Sequence, residues 1–221
     1  MNAPSQRSLG IIHTVVGLVP VFEDLVSRHL PGWTPFNIVD ESLLRNTIRE
    51  GELSQATMRR VAGYVWSAVD AGAEAILVTC SSMGPAVDAV GSMCTVPLVR
   101  VDIGMVEEAL DAGARIGVLA TLSTTMGPTS DLVRARAALR QKKVEVVSHL
   151  CSGAFERLSA GDKAGHDDAV IAGAEALAKH VDIIILAQAS MARALTGQKD
   201  FGVRICASPE LGVLNLRRTL G

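Results

Sequence analysis

Ala75-Ile76-Leu77-Val78-Thr79-Cys80-Ser81-Ser82-Met83 is an apolar run that stops at a thiol and gives way to small polar residues. It recurs as Ile183-Ile184-Ile185-Leu186-Ala187-Gln188-Ala189-Ser190-Met191, with glutamine at the place of the thiol. Four or five consecutive apolar residues bounded by polar ones suit a short strand covered on both faces, as in a parallel sheet. The chain therefore reads as two copies of one unit, and only one copy keeps the reactive group.

Working outward, the copies align in order. Thr14 falls on Thr121, Pro20 on Pro128, Leu25-Val26 on Leu132-Val133, residues 36–40 on 144–148, and Ser82-Met83 on Ser190-Met191. Each match is weak; their agreement in order makes duplication the organising fact, and it precedes any choice of fold. Within each copy, β-branched runs alternate with longer helical stretches, the pattern of βαβ units. Strands are predicted at 9–15, 35–39, 75–79 and 98–101, then at 115–120, 144–147, 183–187 and 203–206. Helices are predicted at 21–29, 54–71, 105–112, 129–141 and 167–179. The expected fold is α/β: two similar lobes, each a four-stranded parallel sheet flanked by helices, related by a pseudo-twofold axis with the active site in the cleft between them. The expected division is 1–101, completed by a C-terminal helix at 209–221, and 102–208.

Composition narrows the function. With 221 residues and 48% hydrophobic content the chain buries a sizeable core. A net charge of −2 and no Lys/Arg run argue against nucleic acid or an anionic membrane surface as partner. Apolar stretches such as 10–22, broken by His13 and Pro20, fall short of the about 20 residues a spanning helix needs. With no cleavage site after that stretch, the reading is a cytoplasmic protein. Cys80, Cys94, Cys151 and Cys206 are scattered, with no Cys-x-x-Cys pair, so reduced thiols and no metal site are expected. No Gly-x-Gly-x-x-Gly or phosphate-loop motif is present, so no nucleotide cofactor is expected. The expected partner is a small molecule; homo-oligomerisation is expected only because symmetric oligomers are common.

In open parallel sheets ligands bind beyond the carboxyl ends of the strands. The polar candidates fall there: His13 and Thr14, then Asp40, then Cys80, Ser81 and Ser82, and in the second copy Thr121, Ser123 and Thr124, then Gln188, Ala189 and Ser190. Hydroxyls and amides of this kind suit a carboxylate. A cysteine beside the N–H groups of residues 81–83 is expected to have a stabilised thiolate, hence to be a nucleophile and a carbon base; the plain alternative is a small buried apolar residue. His13 is either an acid/base or carboxylate-binding group or a structural histidine. Asp40 either accepts an ammonium group or caps the helix that follows. His29, His166 and His180 read as solvent-facing.

Thr79-Cys80-Ser81-Ser82 and Ala120-Thr121-Leu122-Ser123-Thr124 resemble the first cysteine motif and the opening of the second lobe in the aspartate/glutamate/hydantoin racemase superfamily. That resemblance covers nearly the whole chain. It implies a cofactor-independent enzyme acting at a carbon next to a carboxylate, with one cysteine removing a proton and a second returning it. The second cysteine position holds Gln188, which is neither acid nor base near neutral pH. The resemblance therefore implies a single-thiol enzyme: a racemase or isomerase acting through Cys80 by proton transfer or addition, with Gln188 orienting the substrate. Related arylmalonate decarboxylases protonate an enediolate with one cysteine, and maleate isomerases add a thiolate to a double bond. A small-molecule binding protein that has lost its chemistry is the reading from a different class.

Overall fold

The structure is a computed structural model that describes residues 7–195, 197 and 200–221. The chain divides into two compact units, one made of residues up to Gly104 together with Pro209–Gly221, the other of Met105–Ser208.

The first unit holds β1 (Arg7–His13), α1 (Val19–His29), β2 (Trp33–Val39), α2 (Glu41–Glu50), α3 (Gln55–Asp70), β3 (Ala75–Val78), α4 (Gly84–Gly91) and β4 (Leu98–Arg100), with α5 (Ile103–Ala112) beginning at its border. Its sheet is fully parallel in the order β2-β1-β3-β4. Alternation along the central strands serves two cores. Leu9, Ile11, Ala75 and Leu77 pack on one face with Phe22, Leu25 and Val26 of α1. Ile12, Ile76 and Val78 pack on the other with Val61, Val65 and Ala68 of α3 and Val87 and Val90 of α4. Central strands buried on both faces lose the polar alternation of an exposed sheet, which is why β3 reads as a continuous apolar run. Pro35 is tolerated because β2 is an edge strand.

The second unit holds β5 (Arg115–Ala120), α6 (Ser123–Leu139), β6 (Glu145–Leu150), α7 (Ala154–Ser159), α8 (Lys163–Ala178), β7 (Ile183–Leu186), α9 (Ala192–Leu195) and β8 (Arg204–Ala207). Its order is β6-β5-β7-β8, again all parallel, so the repeat extends to topology. The final helix, α10 (Ser208–Leu220), returns to the first unit and adds Val213 and Leu216 to the core of Leu9 and Phe22. Glycine lets it approach: a Cβ on Gly212 would lie 2.5 Å from the Val101 carbonyl oxygen, and one on Gly104 would lie 2.0 Å from that of Leu211.

Register corrects two details of the sequence reading. Leu9 pairs with Pro35 and Ile116 with Val146, so Phe36 corresponds to Val147 rather than Val144, and Asp40 to Cys151 rather than Ser148. The helix expected at 129–141 begins at Ser123, with Pro128 inside it. Proline lacks an N–H and reads as a helix start, but only one ladder bond is lost when it lies this close to the first turn. Among the described residues no helix is long and apolar enough to cross a membrane.

Candidate active site

β1 and β3 run side by side and end at the same level, with the Thr79 N–H donating to the Ile12 carbonyl at 3.0 Å. Beyond them, Cys80 remains extended (φ −122°, ψ 114°), Ser81–Met83 form one 3-10 turn, and α4 follows. The turn is closed by the Met83 N–H donating to the Cys80 carbonyl at 3.0 Å. This geometry directs the N–H groups of Ser82 and Met83 back at the Cys80 sulfur, which also meets the hydroxyls of Thr14 and Ser82. Cys80 is half-buried, whereas Thr14, Ser81 and Ser82 are buried.

Burial pushes the Cys80 thiol up; the Thr14 hydroxyl and the amides of Ser82 and Met83 pull the other way and do not overcome it. The expected donors are in place and favour the anion, while removing the sulfur from water penalises it by more, so the net direction is upward. The resting group is a protonated thiol surrounded by donors that would receive negative charge.

His13 is fully buried, and both ring nitrogens are engaged. Nε2 lies 3.0 Å from Asn37 Oδ1, and Asn37 donates its amide to Glu23 at 2.9 Å, so Nε2 carries the proton. Nδ1 lies 3.0 Å from the Thr79 hydroxyl, and the ring packs edge-to-face with Phe22, their centroids 5.6 Å apart. Burial pushes the His13 pKa down against the Asn37 hydrogen bond and the Glu23 charge. His13 thus sits beneath the strand ends as a neutral strut behind Thr79.

Asp40 takes the capping role on α2, accepting from the Ser42 N–H at 3.0 Å and the Ser42 hydroxyl at 2.6 Å. Tyr64 and Arg60 of α3 also bond to it. Burial raises its pKa, but the Ser42 and Tyr64 hydrogen bonds and the Arg60 charge outweigh that and hold the carboxyl below its usual range.

In the second unit the corresponding pair is Thr121 and Gln188. The Thr121 N–H donates to Gln188 Oε1 at 2.6 Å, and Gln188 Nε2 donates to the Thr121 hydroxyl at 2.8 Å. Gln188 therefore clips the end of β5 to the end of β7, where Cys80 meets Thr14 in the first unit. Ala189–Met191 repeat the 3-10 turn, with Ala189 and Ser190 half-buried. Ser123 is exposed at the first turn of α6. Thr124 is buried there, and its hydroxyl has no hydrogen-bond partner among the described residues. No side chain caps that helix start, and the Thr125 and Met126 N–H groups donate to the Leu122 carbonyl, so the group this helix start offers an anion is the Thr124 hydroxyl.

The structure thus groups Thr14, Cys80, Ser82 and, one layer below, His13 in one unit, and Thr121, Gln188 and Thr124 in the strand-end region of the other. Sequence reasoning missed Asn37 and Glu23, since the contacts that recruit them to His13 follow no local spacing. It also misplaced His166, which is fully buried with Nδ1 2.8 Å from Asp167 rather than solvent-facing; His29 is half-buried and His180 exposed.

One family model, described as Asp/Glu/hydantoin racemase, matches residues 10–215. Among solved structures, the chain is similar to a glutamate racemase isoform from Bacillus anthracis (TM-score 0.72, 19% identity, 98% of this chain and 82% of that one). It is also similar to an aspartate racemase from Picrophilus torridus (TM-score 0.72, 12% identity, 96% and 94%). An allantoin racemase from Pseudomonas fluorescens matches with TM-score 0.62 at 15% identity, over 96% of this chain and 90% of that one. At these identities the likeness is one of fold. A comparison with curated protein sequences finds no match.

Proposed function

The chain belongs to the Asp/Glu/hydantoin racemase family, and from that premise we propose that it is a cofactor-independent isomerase of racemase type in which Cys80 moves a proton at a carbon next to a carboxylate. The observation that carries this reading is the cradle of donors around the sulfur: the Thr14 hydroxyl, the Ser82 hydroxyl and the N–H groups of Ser82 and Met83. As a base, the Cys80 thiolate takes the proton, the C–H pair passes into an enediolate, and an S–H bond forms. As an acid, the thiol returns its proton to that carbon and the thiolate is left among its donors. We assign Ser81 and Ser82 to holding the charge that develops beside Cys80, where a single well-placed donor contributes about 3–4 kcal/mol, and Thr121, Thr124, Ala189 and Ser190 to binding an anion within the second unit. Gln188 holds Thr121 in place within the second unit. His13 supports Thr79 from below, and Asp40 shapes the start of α2.

One observation favours a second reading. A thiol that burial keeps protonated is suited to giving a proton first. Decarboxylation of a substituted malonate has that order: the C–C bond to one carboxylate breaks, carbon dioxide leaves, and the resulting enediolate takes the Cys80 proton. Proton NMR in D₂O of amino acids, hydantoins, substituted malonates and maleate, with the protein and with Cys80→Ala, separates these outcomes. Cys80-dependent deuterium incorporation supports proton transfer, and loss of a carboxyl group supports the second reading. Maleate converted to fumarate indicates addition by the thiolate. No conversion of any substrate counts against an enzyme of this class and in favour of a binding protein.

A further inference from the structure

The guanidinium of Arg100, at the end of β4, is buried directly beneath the first residue of α4. Arg100 is 4% exposed and Asp102 is fully buried. Nε and Nη2 donate to the two Asp102 oxygens at 3.0 and 2.8 Å, and Nη1 donates to Asp88 on α4. A Cβ on Gly84 would lie 2.3 Å from the Arg100 Cζ. Glycine is therefore required where the Cys80 turn enters α4, and the guanidinium is the floor on which that turn rests. A buried cation at a helix N-terminus opposes the helix dipole and is costly to desolvate, so simple packing would not choose it.

The repeat shows the same place without it. Val78 pairs with Arg100 and Leu186 with Ala207, so Ala207 stands at the position of Arg100, and Ala192, the first residue of α9, at that of Gly84. A cavity of about 400 Å³ opens there, lined by Leu186, Ala192, Leu195, Phe201, Ile205 and Ala207 among others. The unit that lacks the thiol also lacks the guanidinium and the glycine.

We propose that Arg100 is a positioning residue for Cys80: locked by Asp102 and Asp88, it seats Gly84 and keeps the Ser82 and Met83 amides aimed at the sulfur. This rests on the reading of Cys80 as the reactive group. The other charged or titratable groups on the elements packed around the turn are His13, engaged with Asn37 and Thr79, Asp40, bonded to Arg60 and Tyr64, and, exposed along α2 and α3, Glu41, Arg45, Arg49, Glu50, Arg59 and Asp70.

The test is the pH dependence of Cys80 alkylation by iodoacetamide, followed by peptide mass spectrometry without substrate. Arg100→Met is expected to move the profile to higher pH and to slow alkylation about tenfold on the acid side, where rate follows the thiolate fraction. Arg100→Lys restores part of the loss. Gly84→Ala shifts the profile in the same direction, because its Cβ displaces the guanidinium while its φ of −50° accepts alanine; added to Arg100→Met it has little further effect. A folded Arg100→Met protein with the wild-type profile overturns the proposal. Should that variant fail to fold by circular dichroism, a wild-type profile in Gly84→Ala overturns it instead. Because no turnover is measured, failure here is distinct from failure of the proposed function, which would appear as an absence of substrate conversion by the wild-type protein.

Discussion

Replacing Gln188 tests whether the second unit has exchanged chemistry for structure. In Gln188→Ala the Thr121 N–H loses its acceptor at 2.6 Å and the Thr121 hydroxyl its partner at 2.8 Å. Thr121 is only 4% exposed, so the orphaned amide should carry a desolvation penalty of about 1–3 kcal/mol, and the second bond should add about 1 kcal/mol. A loss of about 2–4 kcal/mol corresponds to roughly 5–15 °C in Tm for a protein of this size. Gln188→Glu separates geometry from mere presence. Its carboxylate can accept from both the Thr121 N–H and the Thr121 hydroxyl, which needs only to turn its own proton, so stability should stay within about 1 kcal/mol of wild type. The assay is urea unfolding of the three proteins, with hydrogen exchange at the Thr121 amide as the local readout. Equal stability of Gln188→Ala and wild type, with unchanged exchange at Thr121, would refute the clip.

Three further outcomes follow from the site. Cys80→Ser should lower turnover on any verified substrate by about 10²–10⁴-fold without lowering Tm, and full retention of turnover would remove Cys80 from the mechanism. His13, whose folded pKa lies below its ordinary value near 6.5, should make stability fall as pH drops through the window between the two, because the unfolded chain takes up a proton that the folded one refuses; the slope is at most about 1.4 kcal/mol per pH unit. That slope should disappear in His13→Gln, as measured by urea unfolding from pH 7 to 5. Asp40→Ala removes the α2 cap and the partner of Arg60 and Tyr64, and should cost about 1–2 kcal/mol in the same assay, whereas turnover measured on folded protein shows whether the carboxyl also serves the substrate.

Much of this architecture is legible in the sequence because it follows from local rules. Apolar runs such as Ile183-Ile184-Ile185-Leu186 announce strands buried on both faces, and strand ends locate Thr14, Cys80, Thr121 and Gln188 before any coordinates exist. What local rules miss is contact across elements. Asn37 looks like any polar residue of an edge strand, yet it fixes the protonated nitrogen of His13. Arg100 looks like a surface arginine until Gly84 is seen lying on it. His166 sits on a helix whose weak amphipathic pattern hides which face is inward, and it is that inward face that carries it. The amides that favour the Cys80 anion are visible in the sequence pattern, whereas the burial that opposes them is not.

The central claim is that one thiol, in one unit, carries the proton. It is tested most directly by following deuterium entry from D₂O into a substrate found in the NMR panel, with wild type, Cys80→Ala and Gln188→Ala compared at equal folded concentration. The account predicts that exchange vanishes with Cys80→Ala and persists, slowed, with Gln188→Ala. Undiminished exchange by Cys80→Ala would contradict it.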